Sequence, residues 1–115
     1  MLGAISAVGL LVFVAESKTN EAAYGHWNYL LHIAKAHVVQ ERCPRLRVNG
    51  DVLIALAKKY KVSFGAGSHD FSALTQMMAK SRSVFQDQSM EATCVFGVTS
   101  FGPNGSLVKD LMIEK

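Results

Sequence analysis

The chain has 115 residues, half of them hydrophobic and 18% charged, with a formal net charge of +3. This length predicts one small domain, and the charge is too modest to favour a nucleic-acid-binding protein. No motif for a metal or a cofactor stands out, so we predict neither.

The first predicted element is an apolar leader over residues 1–17. An uncharged apolar run at 2–14 precedes Ala15-Glu16-Ser17, which is a small-x-small cleavage site. Such a run is typical of a secretory signal peptide and is too short to span a bilayer. We therefore expect a single mature domain over 18–115, located in the periplasm or outside the cell, with no stable membrane span after cleavage. A buried first helix of a cytosolic protein and a retained anchor are the alternatives.

Export would place Cys43 and Cys94 in an oxidising compartment, where cysteines pair. A bridge between them would close a loop of about fifty residues and stabilise the domain by roughly 4 kcal/mol. That value is comparable to the whole net stability of a domain of this size. We predict this disulfide, with two buried free thiols as the alternative.

Apolar spacing predicts a first helix that is capped by Thr19 or Asn20 and runs to about residue 41. Cys43-Pro44 ends it, because the residue before a proline disfavours the helical conformation. The predicted core face consists of Ala23, Trp27, Leu30, Leu31, Ala34 and Val38.

Three further helices are predicted after a short extended stretch at 45–48. Turn residues at 49–51 begin a second helix that runs to about 61, and Ser68 or Asp70 caps a third that runs to about 84. Asp87 or Ser89 begins a fourth, over about 90–101. The predicted core faces are Leu53, Leu56, Ala57 and Tyr60 on the second helix, and Phe71, Leu74, Met77 and Met78 on the third.

The fourth segment is ambiguous. Val95, Phe96 and Val98 favour a strand, which could form a hairpin with the residues after the turn at 102–105, whereas Glu91-Ala92 favours a helix. We predict the helix. The expected fold is an all-α bundle of about four short helices, and the alternative is an α+β fold with a C-terminal β-hairpin.

Basic residues are concentrated between Lys35 and Lys61. A patch of this kind could attract an acidic protein or an anionic component of the cell envelope, such as lipid head groups or cell-wall polymers. Ordinary solvated charge is the alternative. The candidate binding residues are Arg42, Arg45, Arg47, Lys58, Lys59 and Lys61.

Histidines offer weaker signals. On the first helix, His26 and His37 lie beside the apolar stripe while His32 is expected to face solvent, so the three cannot share a metal ion. Charging of His26 or His37 near pH 6 could weaken local packing. Ser68-His69-Asp70 follows a glycine-rich loop and is expected to act in helix capping, with a small hydrolase centred on His69 as an alternative.

In outline, the leader, the small helical domain and the spacing of Cys43 and Cys94, together with Trp27, resemble the exported acid-stress chaperones of the bacterial periplasm. The resemblance covers layout alone, so it implies no functional residue. We expect a non-enzymatic exported protein that binds an unknown partner, in an envelope-stress or chaperone-like role. The alternatives are an inhibitor or effector that docks through the basic loop, and the His69 hydrolase.

Overall fold

A computed structural model of the protein describes residues 25–115. The predicted signal peptide and the predicted cap at Thr19 or Asn20 lie outside these residues. Within them, no helix combines the length and the apolar composition needed to cross a bilayer. The elements in chain order are α1 (25–42), β1 (Leu46–Val48), α2 (Gly50–Tyr60), α3 (His69–Phe85), α4 (Met90–Phe101) and β2 (Met112–Glu114).

The predicted bundle of four helices is confirmed, and α1 is its central helix. The buried positions of α1 spread around most of its circumference, which is typical of a helix covered on several sides. Side chains of α2, α3, α4 and both strands pack on it in two adjoining core clusters. The buried residues of α1 are Tyr29, Leu30, Ile33, Ala34, Ala36, Val38 and Val39.

Two predicted core residues are instead exposed. Trp27 and Phe71 each keep 44% of their surface accessible, so the prediction that they pack in the core is wrong. Trp27 lies in the first described turn of α1, and Phe71 lies in the first turn of α3. Apolar spacing identifies the inner face of a helix, but it does not show how far along the helix that face is covered.

Serine side chains cap α3 and α4 as the sequence predicts. Ser68 Oγ accepts a hydrogen bond from the Phe71 amide at 3.1 Å, and Ser89 Oγ accepts one from the Ala92 amide at 3.0 Å. Each bond satisfies an amide that lacks a partner within the first turn of its helix. The same serines therefore fix where the two helices begin.

The sheet joins distant parts of the chain. Leu46 pairs with Glu114 and Val48 pairs with Met112 in antiparallel register. The predicted extended stretch at 45–48 is confirmed, but the C-terminal tail pairs with it and not with 94–101, which lies in α4. Leu111 and Met112 are fully buried, so the tail completes the core.

The predicted disulfide is present. Cys43 follows α1, Cys94 lies in α4, and their Cα atoms are 5.3 Å apart. Next to it, Gly97 allows α4 to approach its neighbours closely, since a Cβ there would lie 2.7 Å from Val39 Cγ1 and 2.8 Å from Leu46 Cδ1. The bond and the glycine thus fix α4 against the end of α1 and against β1.

Candidate functional site

The basic candidate residues lie in two groups. Arg45 and Arg47 are exposed around β1, and Arg42 Nη2 donates to the Gln88 carbonyl at 3.2 Å. Lys58, Lys59 and Lys61 are exposed at the far end of α2, about 15 Å from β1 along the helix axis. Their role in binding stays a prediction, and the length of α2 separates the two groups.

His26 connects the starts of α1 and α3. Its Nδ1 lies 2.8 Å from the Tyr60 carbonyl oxygen, and its Nε2 lies 2.9 Å from Asp70 Oδ1. Both partners are acceptors, so both ring nitrogens can donate only when the ring is a charged imidazolium. Burial lowers the pKa of His26, but these two bonds and the charge of Asp70 outweigh it and the pKa is raised.

The prediction that charging of His26 weakens local packing is therefore wrong, because a charged ring donates to both acceptors and its contacts become stronger. His32 is also placed differently from the prediction: its ring is half-buried and lies edge-on to Phe101, with 6.1 Å between the ring centres. Burial and the charge of Lys35 lower the pKa of His32. Burial also lowers the pKa of His37, with a partial offset from Glu41, so the expectation that charging weakens packing stays a prediction for His37.

Residues 68–70 act mainly in local structure. His69 is exposed and is not among the residues that line the cavities described below. The histidine partner of Asp70 is His26, and the second carboxylate oxygen of Asp70 accepts a bond from the Ser63 amide at 2.9 Å. Ser68 also donates to the Ser63 carbonyl at 3.0 Å. These contacts order the loop between α2 and α3.

One candidate site is an apolar cleft between α1, α3 and α4, which we call the lysine-edged cleft. Its volume is about 290 Å³. The lining residues are Leu31 and Lys35 of α1, Met77, Lys80, Ser81, Val84 and Phe85 of α3, Gln88 of the following turn, and Phe96 of α4.

Aromatic rings support the inner wall of this cleft. Phe85 and Phe96 meet edge to face with 5.2 Å between ring centres, and Phe96 in turn meets Phe101 at 5.8 Å. On the outer side, Val84 keeps 66% of its surface accessible. The cleft therefore has a rigid aromatic wall and an apolar rim that is open to solvent.

Two ionic contacts lie at the ends of the α1–α3 pair. His26 bonds Asp70 near the start of both helices, and Glu41 accepts two bonds from Arg82, at 2.8 and 2.9 Å, near their ends. The helices therefore run in the same direction. The cleft lies along the seam between these two contacts, which hold its walls in position.

A second cavity, of about 380 Å³, lies between the start of α1, the end of α2 and the loop at 107–109. One of its polar groups is already engaged, because Tyr29 OH donates to the Leu53 carbonyl at 2.8 Å, while Asn28, His32 and Lys109 also line the cavity. Burial and the neighbouring Tyr60 raise the pKa of Tyr29. This cavity adjoins Gly25, the first described residue, whereas the lining of the lysine-edged cleft begins at Leu31.

The chain matches no protein-family model, no curated protein and no solved structure. Function is therefore argued from the site alone.

The cleft was not predicted from the sequence, although one signal for it is present. Val84 lies seven residues after Met77 on the same side of α3, so the apolar side of this helix continues from a residue packed on the core to an exposed valine. Lys80 lies on the same side. An apolar face that continues past its buried part indicates an uncovered groove.

Proposed function

We propose that this protein is a small non-enzymatic binding domain, that it functions in the periplasm or outside the cell, and that it holds an apolar group of its ligand in the lysine-edged cleft. The location rests on the signal-peptide pattern of the leader and on the disulfide, since disulfides persist mainly in oxidising compartments.

The lysine-edged cleft is the observation that carries the binding function. Ligand sites in proteins are concave and mostly apolar, with a few polar groups that orient the ligand. Here five of the lining side chains are apolar and are joined by a serine, a glutamine and two lysines. Exposure of Val84 in this cleft leaves apolar surface that a ligand can remove from water.

A neutral apolar fluorophore, N-phenyl-1-naphthylamine, tests this proposal with the oxidised full-length chain. Val84→Glu places a charge on the wall of the cleft and is expected to weaken probe binding about tenfold, a loss of ~1.4 kcal/mol. Val95→Glu is the matched control, because Val95 is exposed on α4 and is not among the residues that line the cleft. Equal binding by the two variants, or no binding by the unaltered chain, contradicts the proposal.

A second candidate function is docking on an acidic protein through Arg45 and Arg47. Both side chains are exposed, and the neighbouring Cys43–Cys94 bond and the β1–β2 pairing keep their backbone ordered. Such exposed charges act mainly on the association rate and on its salt dependence. Arg45→Ala/Arg47→Ala should slow association with a captured acidic partner and reduce its salt dependence, while Lys58→Ala/Lys59→Ala should not. Unchanged binding by the arginine variant contradicts this candidate.

The described residues give no specific support to a hydrolase centred on His69 or to a chaperone-like role. Both stay sequence-based hypotheses.

A further inference from the structure

We infer that the ligand of the lysine-edged cleft is a single-chain amphiphile with an anionic head group, such as a fatty-acid carboxylate. This inference rests on the proposed binding function and adds the chemical class of the ligand to it. Three features of the cleft carry the inference: its charge, the position of its lysines and its size.

Charge is the first feature. Among residues 25–115, which the structure describes, Lys35 and Lys80 are the only charged side chains that line the cleft, and no carboxylate lines it. The carboxylate of Glu41 on α1 is engaged by Arg82. Two ammonium groups with no lining acid give the cleft a positive rim, which is complementary to an anion.

The lysines stand on different helices, Lys35 on α1 and Lys80 on α3, so an anionic head group can meet one from each wall. A lysine side chain lays its methylene groups along an apolar surface and keeps its ammonium group in water. The head group would therefore stay solvated at the rim while the apolar chain enters the cleft. This arrangement avoids the large cost of burying an unpaired charge.

The volume and the lining residues of the cleft suit a ligand with a single apolar chain. A volume of about 290 Å³ lies at the small end of the range for ligand pockets. A helix with its side chains is about 10–12 Å across, which makes a helical peptide a poor fit. Within the described part of the chain, Ser81 and Gln88 are the only uncharged polar side chains of the lining, too few to recognise a sugar ring or a nucleotide. The aromatic wall of Phe85 and Phe96 suits a methylene chain.

Three ligands that share one twelve-carbon chain test the inference. Dodecanoate, dodecanol and dodecyltrimethylammonium carry an anionic, a neutral and a cationic head group, and each is titrated below its micelle concentration or solubility limit against the bound N-phenyl-1-naphthylamine. Dodecanoate is expected to bind about tenfold more tightly than dodecanol, because two solvated contacts to lysine each add a modest gain. The cationic ligand should bind most weakly.

Substitution of Lys35 and Lys80 tests whether these two side chains cause the preference for dodecanoate over dodecanol. Lys35→Gln/Lys80→Gln should bring dodecanoate to the affinity of dodecanol and leave dodecanol unchanged. Lys58→Gln/Lys59→Gln, which removes two exposed lysines from α2, is the matched control and should keep the preference. Lys35→Glu/Lys80→Glu should reverse it in favour of dodecyltrimethylammonium, an outcome that general loss of structure does not produce.

The outcomes separate the inference from the proposed function. If dodecanoate and dodecanol bind equally and Val84→Glu weakens both, the cleft binds apolar chains and the inference about charge is wrong. A preference for dodecanoate that survives in Lys35→Gln/Lys80→Gln places the anion site elsewhere and also overturns the inference. If none of the three ligands displaces the probe, the proposed function fails as well.

Discussion

His26 Nε2 and Asp70 Oδ1 lie 2.9 Å apart and connect the first turn of α3 to the start of the described part of α1. The pKa of His26 lies above its ordinary value of 6.5, so its contribution to stability is complete below pH 6.5 and is lost as the pH rises through the raised value. The pKa of Asp70 is lowered from its ordinary value of 3.8. The bond from the Ser63 amide, together with the bond from His26 and the charges of His26 and His69, outweighs the effect of burial. The contribution of Asp70 to stability is therefore lost only as the pH falls through that lowered value. The pair stabilises the fold most between these limits.

We therefore predict that Asp70→Asn destabilises the protein more at pH 5.5 than at pH 8, by a difference of about 1 kcal/mol or less. His32 and His37 act in the opposite direction, because their lowered pKa values favour unfolding below pH 6.5. Thermal unfolding at both pH values, compared with exposed Asp87→Asn, isolates the pair. Melting curves of Asp70→Asn that shift with pH as those of the unaltered chain do would contradict the prediction.

Gly97→Ala should destabilise the protein by about 1–3 kcal/mol, since the new methyl group would overlap Val39 and Leu46, both buried in the core. Gly50→Ala is the matched control, because a Cβ there meets no atom within 4 Å. Urea unfolding measures both. On a Val39→Ala background the cost of Gly97→Ala should fall, because part of the overlap is removed. An unchanged cost would show that Val39 is not the obstacle.

Lys61→Gly should stabilise the protein. Lys61 ends α2 with φ at 56°, in the left-handed region, which costs a residue with a side chain about 1–2 kcal/mol. Glycine relieves this strain but adds about 0.5–1 kcal/mol of chain entropy to the unfolded state, so the net gain is up to about 1 kcal/mol. Lys59→Gly, within α2, should instead lower the melting temperature. A shift in the same direction for both variants would contradict this account.

Removal of the disulfide by Cys43→Ala/Cys94→Ala should cost about 4 kcal/mol, because the bond closes a loop between residues 51 positions apart. Urea unfolding of the variant, set beside the reduced and oxidised forms of the unaltered chain, measures this loss. The reduced form should resemble the variant. Equal midpoints for the oxidised and reduced forms would show that the bond does not hold the domain together.

Local signals in the sequence predicted the helices well. Ser68 and Ser89 each accept a hydrogen bond from the free backbone amide three residues later in the chain. Pro44 disfavours the helical conformation at the residue before it. Such contacts depend only on neighbouring residues. The starts of α3 and α4 could therefore be placed from the chain itself.

The sheet and the cleft could not be predicted in the same way. The partner of Val48 is Met112, and nothing near either residue specifies the other. Lys35 and Lys80 line the same cleft only because α1 and α3 lie side by side. His32 was expected in solvent because its face of α1 was assumed to be uncovered, but Phe101 of α4 lies against it. Each of these outcomes depends on how whole elements are placed together.

Pairing of β2 with β1 also sets the order in which the native state can form. Leu111 and Met112 fill the core beside Cys43 and Leu46, so that core stays open until the segment around residue 112 has left the ribosome. A growing chain must therefore remain without this finished core until Leu111 and Met112 have been synthesised. Premature termination shortly before Leu111 would yield a product with α1 to α4 encoded and this part of the interior left open.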